Sequence, residues 1–183
     1  VPIFLLVARM IRDKGVVEFI DAARKFRKAG LVVDCRLIGP IGVNNPTAIS
    51  ADELNDYVSD GTVVYLGEVD DVRVHLRQAS CIVLPSYREG MSRVLLEASA
   101  TGRPIIASDV PGCREIVENG FNGFLCSPKS SESLAEAMRK FFRLTFEEKQ
   151  ELGKNARLLS ERFFSEEKVN NTYLDCVHQA LDS

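Results

Sequence analysis

The chain alternates between continuous apolar runs and segments whose apolar residues recur at helical spacing. Several of the runs are apolar throughout, which is typical of parallel strands covered on both faces. The predicted strands are Ile3–Ala8, Val32–Ile38, Val63–Leu66, Cys81–Leu84, Pro104–Ala107 and Gly123–Cys126. The predicted helices are Val16–Ala29, Ala51–Ser59, Val72–Gln78, Met91–Thr101, Cys113–Glu118, Ser131–Leu144, Phe146–Phe163 and Glu166–Leu181. This order predicts an α/β, Rossmann-like doubly wound parallel sheet of about six strands with helices on both faces and C-terminal helices, and it places ligands at the carboxyl ends of the strands.

Composition excludes several classes of protein. Of the 183 residues, 45% are hydrophobic and 27% are charged, which excludes a mostly disordered chain. The 23 basic and 26 acidic residues give a formal net charge of −3, so the basic surface of a nucleic-acid-binding protein is not expected. No apolar run approaches the roughly 20 residues of a membrane span. Because residue 1 is Val and leads directly into a predicted strand, we expect the chain to be a piece of a longer protein.

The chain has five cysteines and two histidines. No two cysteines form a C-x-x-C pair, and neither His75 nor His178 lies near a cysteine pair, so a metal site is not expected. Cys35, Cys81 and Cys126 lie within apolar runs. The cysteines are therefore expected to be reduced thiols, mostly buried, as in a cytosolic protein.

A basic turn, ARMIRDKG over residues 8–15, follows the first predicted strand and precedes a helix. A phosphate bound there would meet Arg9, Lys14 and the amides at the start of the helix. The segment is neither a P-loop nor a G-x-G-x-x-G fingerprint. A solvated basic loop remains the alternative interpretation.

A second candidate segment is LPSYREGMSRVLLEA, residues 84–98, in which a strand ends, a loop carries Glu89 and a helix follows. Gly90 allows close approach of a ligand to the backbone, and the following amides point toward an anion. Glu97 lies about 12 Å further along the helix, among apolar residues, where a carboxylate needs a partner. That partner is either a ligand diol or a neighbouring Arg or Lys.

Two further loops follow predicted strands and belong to the same edge. The loop GPIGVNNP, residues 39–46, is the segment richest in turn-forming residues. Asp109, before the Pro111-Gly112 turn, is interpreted as a turn or cap residue in preference to a catalytic one.

Taken in order, these segments resemble the C-terminal half of GT-B glycosyltransferases of the group 1, or family 4, retaining type. The resemblance covers residues 1–180 and rests most strongly on E-G-x-x-x-x-L-x-E-A-x-A-x-G-x-P, which begins at Glu89. It implies that residues 1–183 form a single domain that binds a nucleotide-diphosphate sugar. It also implies that the acceptor site lies in an N-terminal half outside this chain.

The resemblance assigns roles by position. Arg9 and Lys14 would hold the diphosphate and stabilise it as it leaves, and Glu89 would contact the hydroxyls of the donor sugar. These three are the implied catalytic residues, with no cofactor and no metal, and the sequence contains no D-x-D. The other implied binding residues contact the donor: Gly90, Met91 and Ser92 through backbone amides, Glu97 at the ribose diol, and Gly39 and Leu66 at the nucleobase.

The sequences of the segments SYREGMSRVLLEA and VPGCREIV resemble those of bacterial transferases of capsule, exopolysaccharide or O-antigen assembly. That likeness implies a UDP-sugar donor and a membrane-associated, lipid-linked acceptor. It implies a cytoplasmic location, peripheral to the inner membrane face through the other half. Two alternatives stay open: a non-catalytic α/β nucleotide-binding or interaction module, and half of a GT-B-like sugar-nucleotide epimerase. The last helices either cross back to the other half or cover this domain's own sheet.

Overall fold

The computed structural model describes residues 1–165 together with residues 168, 170, 173, 174, 176 and 177. Within them, strands and helices alternate as the apolar pattern predicts. The strands are β1 (Ile3–Val7), β2 (Asp34–Ile38), β3 (Val64–Tyr65), β4 (Cys81–Leu84), β5 (Ile105–Ser108) and β6 (Gly123–Cys126). The helices are α1 (Val16–Lys28), α2 (Ala51–Val58), α3 (Arg73–Gln78), α4 (Arg93–Ala100), α5 (Ser131–Arg143) and α6 (Phe146–Phe163), with one 3₁₀ turn at Arg12–Lys14.

The six strands form one parallel sheet in the order β3-β2-β1-β4-β5-β6. The chain moves outward from β1 to β3, returns to place β4 on the other side of β1, and then continues outward to β6. The direction of winding therefore reverses between β1 and β4. In doubly wound sheets the ligand crevice opens at this point, outside the carboxyl ends of the strands.

Two apolar layers cover the sheet, one on each face. Along β1, Phe4 and Leu6 belong to the layer beneath α1 and α5, whereas Leu5 belongs to the layer beneath α3 and α4. Phe4 packs edge-to-face against Phe26 of α1 and Phe141 of α5. Successive residues are buried in β1 from Phe4 to Leu6 and at every position of β4 and β5, so these central strands are covered on both faces. The predicted α/β doubly wound fold is confirmed.

Several predicted elements differ from the structure in their limits. The predicted helix Cys113–Glu118 is wrong, because the backbone there forms successive turns. The Val117 amide donates to the Cys113 carbonyl and closes one turn. Immediately after it, the Asn122 side chain accepts from the Glu118 amide and donates to the Ile116 carbonyl. The helix expected from Met91 begins at Arg93. The third strand is two residues long, where four were predicted.

The last predicted helix, Glu166–Leu181, lies mostly outside the described residues. Just before it, Phe164 packs against the apolar layer of α3 and α4, while Phe163 is 47% exposed. Within the range of that predicted helix, the described residues Tyr173, Leu174 and Val177 are exposed. None of the helices in the described part of the chain is long and apolar enough to cross a membrane.

Candidate functional site

Two loops meet where the winding of the sheet reverses: residues 8–15 after β1 and residues 85–92 after β4. The Tyr87 amide donates to the Asp13 carbonyl over 2.8 Å. Gly15, with φ +71°, lies so close to the second loop that a Cβ on it would be 2.2 Å from the Pro85 carbonyl oxygen. The two loops are thus packed backbone to backbone, and their side chains share one edge of the sheet.

Lys14 and Glu89 form an ion pair across this junction. Lys14 Nζ donates to Glu89 Oε1 over 2.5 Å, and the side chains are only 20% and 10% exposed. The structure therefore brings together the cation predicted for the diphosphate and the carboxylate predicted for the donor sugar. Burial of this degree makes their interaction stronger than that of a surface pair.

The loop that carries Glu89 is held from two further sides. Gly112, with φ +83°, lies behind it, where a Cβ would be 1.8 Å from the Gly90 carbonyl oxygen. The Tyr87 hydroxyl donates to Glu18 Oε1 of α1 over 2.6 Å. Burial and this hydrogen bond raise the pKa of Tyr87, so the phenol stays protonated and remains a donor.

These supporting contacts were not predicted from the sequence. The sequence did predict a turn at Gly112, but nothing local to it indicates which loop it packs against. Likewise, Glu18 and Tyr87 lie 69 residues apart, and no motif connects them. Only the pairing of β1 with β4 brings these residues to one place.

The three residues just before α4 present unpaired amides at the same edge. Ser92 is the N-cap residue, yet its side chain makes no capping hydrogen bond. Within the part of the chain that the structure describes, the amides of Gly90, Met91 and Ser92 donate to no other group. An anion or a hydroxyl oxygen could accept from them, as at the N-terminus of a helix, because these amides have no acceptor among the described residues.

Arg9 and Glu97 take no part in the ion pair. The Arg9 side chain is exposed and makes no ion pair or hydrogen bond with any residue in the described ranges. Glu97 lies on the second turn of α4, 41% exposed, and its carboxylate is 3.8 Å from the guanidinium of Arg93. This matches the Arg-paired alternative for Glu97, in a pair weak enough for a ligand to displace.

Gly39 and Leu66 lie on the β2 and β3 side of the crevice. The Gly39 amide donates to the Gly67 carbonyl over 2.9 Å, and the Tyr65 hydroxyl donates to the Gly39 carbonyl over 2.7 Å. A Cβ on Gly39 would be 1.9 Å from the Ala8 carbonyl oxygen. Gly39, which is predicted to border the nucleobase, thus packs against the loop predicted for the diphosphate. Leu66 is 37% exposed.

A buried thiol lies beneath the ion pair. Cys113 has no exposed surface, and burial, followed by the negative charge of Glu89, raises its pKa to about 12. The thiol therefore stays neutral and adds no charge to the site. Among the residues that the structure describes, no three His, Cys, Asp or Glu side chains lie close enough together to hold a metal ion.

A cavity of about 490 Å³ lies at the opposite edge of the sheet, beside α6. Two of the cations that line it already bond to the ends of helices. Arg103 donates to the Ala79 carbonyl after α3, and Arg157 donates to the Ala100 carbonyl of α4. These two cations satisfy carbonyl groups that the helices leave unpaired, which gives both arginines a structural role.

Solved structures share this fold along almost the whole chain. A glycosyltransferase from Rickettsia africae superposes with a TM-score of 0.88 at 21% identity, covering 99% of this chain and 48% of that one. Anabaena Alr3699/HepE in complex with UDP superposes with a TM-score of 0.84 at 23% identity, covering 97% of this chain and 48% of that one. The present chain thus has the fold of about half of each of these proteins.

Two relatives with known names are bacterial glycosyltransferases. A Campylobacter jejuni N,N'-diacetylbacillosaminyl-diphospho-undecaprenol alpha-1,3-N-acetylgalactosaminyltransferase is 38% identical over 136 residues, which are 74% of this chain and 34% of the relative. The Staphylococcus aureus capsular polysaccharide biosynthesis glycosyltransferase CapM is 30% identical over 179 residues, which are 92% of this chain and 45% of the relative. The chain therefore spans between a third and half of these relatives' length.

The family model described as "Glycosyl transferases group 1" matches residues 1–159, most of the chain. Its match includes both loops that meet at the ion pair. The chain belongs to the group 1 glycosyltransferases.

Proposed function

We propose that this chain is the donor-binding half of a retaining glycosyltransferase that moves a sugar from a nucleotide-diphosphate sugar, with UDP favoured, to an acceptor hydroxyl in bacterial surface-polysaccharide synthesis. One observation carries the proposal: Lys14 and Glu89 lie side by side at the ends of the neighbouring strands β1 and β4, in loops that also present unpaired amides just before α4. A cation, open amides and a carboxylate are the groups that a diphosphate joined to a sugar requires.

Each residue has a distinct part in the proposed reaction. Arg9 and Lys14 hold the diphosphate, and their charge stabilises it as its bond to the sugar breaks. The amides of Gly90, Met91 and Ser92 donate to sugar or phosphate oxygens. Side-chain cations thus stabilise the diphosphate as a metal ion does in other transferases, and we propose that no metal ion is required.

The remaining residues orient the donor. Glu89 accepts from the sugar hydroxyls, and Glu97, freed from Arg93, accepts from the ribose diol. Gly39 and Leu66 border the nucleobase. The acceptor, which we propose to be lipid-linked and at the membrane surface, binds to a second α/β half of the cytoplasmic protein. The UDP in the HepE complex and the diphospho-undecaprenol in the name of the Campylobacter enzyme support this choice of ligands.

Nucleotide binding by the chain tests the proposal. We expect UDP, but neither GDP nor ADP, to raise its melting temperature at millimolar concentration. Arg9→Ala and Lys14→Ala are each expected to weaken UDP binding by about tenfold or more, the contribution of a charge-assisted hydrogen bond. Lys28→Ala, which removes an exposed cation at the end of α1, is the matched control and is expected to bind UDP normally.

Two results would contradict the proposal. If all three nucleotides leave the melting temperature unchanged, the chain does not bind a donor at this edge. If UDP binds but Arg9→Ala and Lys14→Ala bind it as well as Lys28→Ala does, the alternative of a non-catalytic binding module is favoured. Epimerised nucleotide sugar, formed without an acceptor by the protein with both halves, would favour the epimerase.

A further inference from the structure

Lys14 and Glu89, which the proposed function places at opposite ends of the donor's sugar–diphosphate linkage, bind each other in the free chain over 2.5 Å. We propose that this ion pair makes the site select the intact nucleotide sugar over the free nucleoside diphosphate. Lys14 can bind the diphosphate without leaving the Glu89 carboxylate unpaired only when sugar hydroxyls take its place beside Glu89. The inference rests on the proposed function, and it concerns which form of the ligand the site prefers.

The loops around the pair keep Glu89 close to the place that the diphosphate would occupy. Gly112 fills the space behind the Glu89–Gly90 backbone, so that the loop cannot retreat in that direction. The Tyr87 amide holds the loop against the turn that carries Lys14, and the Tyr87 hydroxyl holds it against α1. These contacts hold the Glu89 backbone beside the turn that carries Lys14, so the loop does not carry Glu89 away when Lys14 turns toward a phosphate.

The charges then make a nucleoside diphosphate a poor ligand by itself. If its phosphates take Lys14, the carboxylate of Glu89 loses its partner and remains a few ångströms from a second negative group. Glu89 is only 10% exposed, so water compensates for little of that loss. The neighbouring thiol of Cys113 is neutral and supplies no counter-charge.

An intact donor removes this penalty because it brings hydroxyl groups with it. A carboxylate accepts hydrogen bonds from two adjacent hydroxyls, so the sugar replaces what Glu89 gives up. Once the sugar has been transferred, Glu89 loses these partners and again competes with the diphosphate for Lys14. The same pair therefore favours entry of the donor and release of the spent diphosphate.

Substitution of Glu89 separates the two ligands. Glu89→Gln frees Lys14 and removes the repulsion between the carboxylate and the phosphates, so we expect it to bind UDP at least about tenfold tighter than the unsubstituted chain. UDP-glucose, UDP-galactose and UDP-N-acetylglucosamine are expected to bind no tighter than before, because their hydroxyls lose a charged acceptor. Calorimetric titration of UDP and of each sugar gives the two affinities.

Glu136→Gln is the matched control, because it removes the same charge from an exposed position on α5. It is expected to change neither affinity. Glu89→Ala is the second variant, in case the amide group introduced by Glu89→Gln finds a new partner, and it too is expected to bind UDP more tightly. Thermal unfolding of each variant confirms that it is folded.

The outcomes distinguish this inference from the proposed function. If UDP binds but folded Glu89→Gln and Glu89→Ala bind it no better than Glu136→Gln does, the inference is overturned and the donor site stands. If UDP binds more tightly to both variants and the preference for the UDP-sugars shrinks or inverts, the inference is supported. If neither UDP nor any of the UDP-sugars binds to any version of the chain, the proposed function fails and the inference fails with it.

Discussion

Gly112 is a residue whose replacement tests how the site is built. Its φ of +83° disfavours any side chain, and a Cβ would lie 1.8 Å from the Gly90 carbonyl oxygen, which cannot move without displacing the Glu89 loop. We expect Gly112→Ala to lower the free energy of unfolding by about 3 kcal/mol, from roughly 1 to 2 kcal/mol of backbone strain and the remainder from the displaced loop. Urea denaturation measures the change.

Gly61 is the matched control because it shares the backbone conformation but not the contact. Its φ is +70°, and no heavy atom lies within 4 Å of the Cβ that an alanine would add. Gly61→Ala is therefore expected to lower the free energy of unfolding only by the backbone strain, about 1 to 2 kcal/mol. If both variants lose the same free energy of unfolding, the Glu89 loop moves without cost and is not held in place by Gly112.

At the same scale, the sequence predicts which residues reach the ligand edge but not how they contact one another. Lys14 and Glu89 could each be assigned to that edge because each follows a strand of a parallel sheet. Their ion pair could not be predicted, since the two residues are 75 positions apart and the pair depends on β1 lying next to β4. Tyr87 gave no local signal, because its partner on α1 is equally remote.

Asp60 joins two elements, α1 and the loop before β3, and its effect depends on pH. Its carboxylate accepts from the Thr62 amide over 2.8 Å and from Arg24 Nε over 3.0 Å. These contacts, the Thr62 amide first, lower the pKa of Asp60 to about 2. A carboxylate whose pKa is lowered by folding stabilises the fold above its ordinary pKa of 3.8, and this contribution is lost as the pH falls toward about 2.

We therefore expect Asp60→Asn to lower the free energy of unfolding at pH 7 and to have a smaller effect at pH 2.5, where the native carboxylate is itself becoming protonated. Urea denaturation at both pH values, with Asp56→Asn on the exposed face of α2 as control, measures the difference. A loss that is the same at both pH values would mean that the charge of Asp60 does not hold the two elements together.

Among the strands, those flanked by polar or turn-forming residues were predicted most accurately. The predicted limits of β4 and β6 agree with the structure, because each run is short, apolar and flanked by polar or turn residues. The segment Cys113–Glu118 has buried residues at helical spacing, yet it is a pair of turns. Its buried residues Cys113, Ile116 and Val117 all pack against the sheet, so spacing alone gives the same pattern for a helix and for successive turns.

For the whole molecule, the sequence predicts the class of the sheet but not the order of its strands. Continuous apolar runs indicate that both faces of each strand are covered, and they carry no information about which strand is the neighbour. The position of β4 beside β1 therefore had to come from the structure. The candidate site follows from that one pairing, because it brings together the two loops that are proposed to bind the donor.

The five thiols report on whether the molecule unfolds as a unit. Cys35, Cys81 and Cys126 lie in one apolar layer of the sheet and Cys113 lies in the other, whereas Cys176 is exposed. Burial raises the pKa of all four core thiols, which reach about 12 at Cys35, Cys113 and Cys126. The reactive thiolate is therefore scarce in the native state, and reagents cannot reach it.

We expect a thiol reagent such as dithiobis(nitrobenzoic acid) at pH 8 to label one cysteine of the native chain rapidly, and Cys176→Ser to abolish this fast phase. The four core thiols should then react together, at a rate that rises with urea in parallel with unfolding, because no opening of one layer alone exposes cysteines on both faces of the sheet. If Cys113 reacts well before Cys35, Cys81 and Cys126, the side of the sheet that holds the Glu89 loop opens independently. Cooperative unfolding of the two layers would then be refuted.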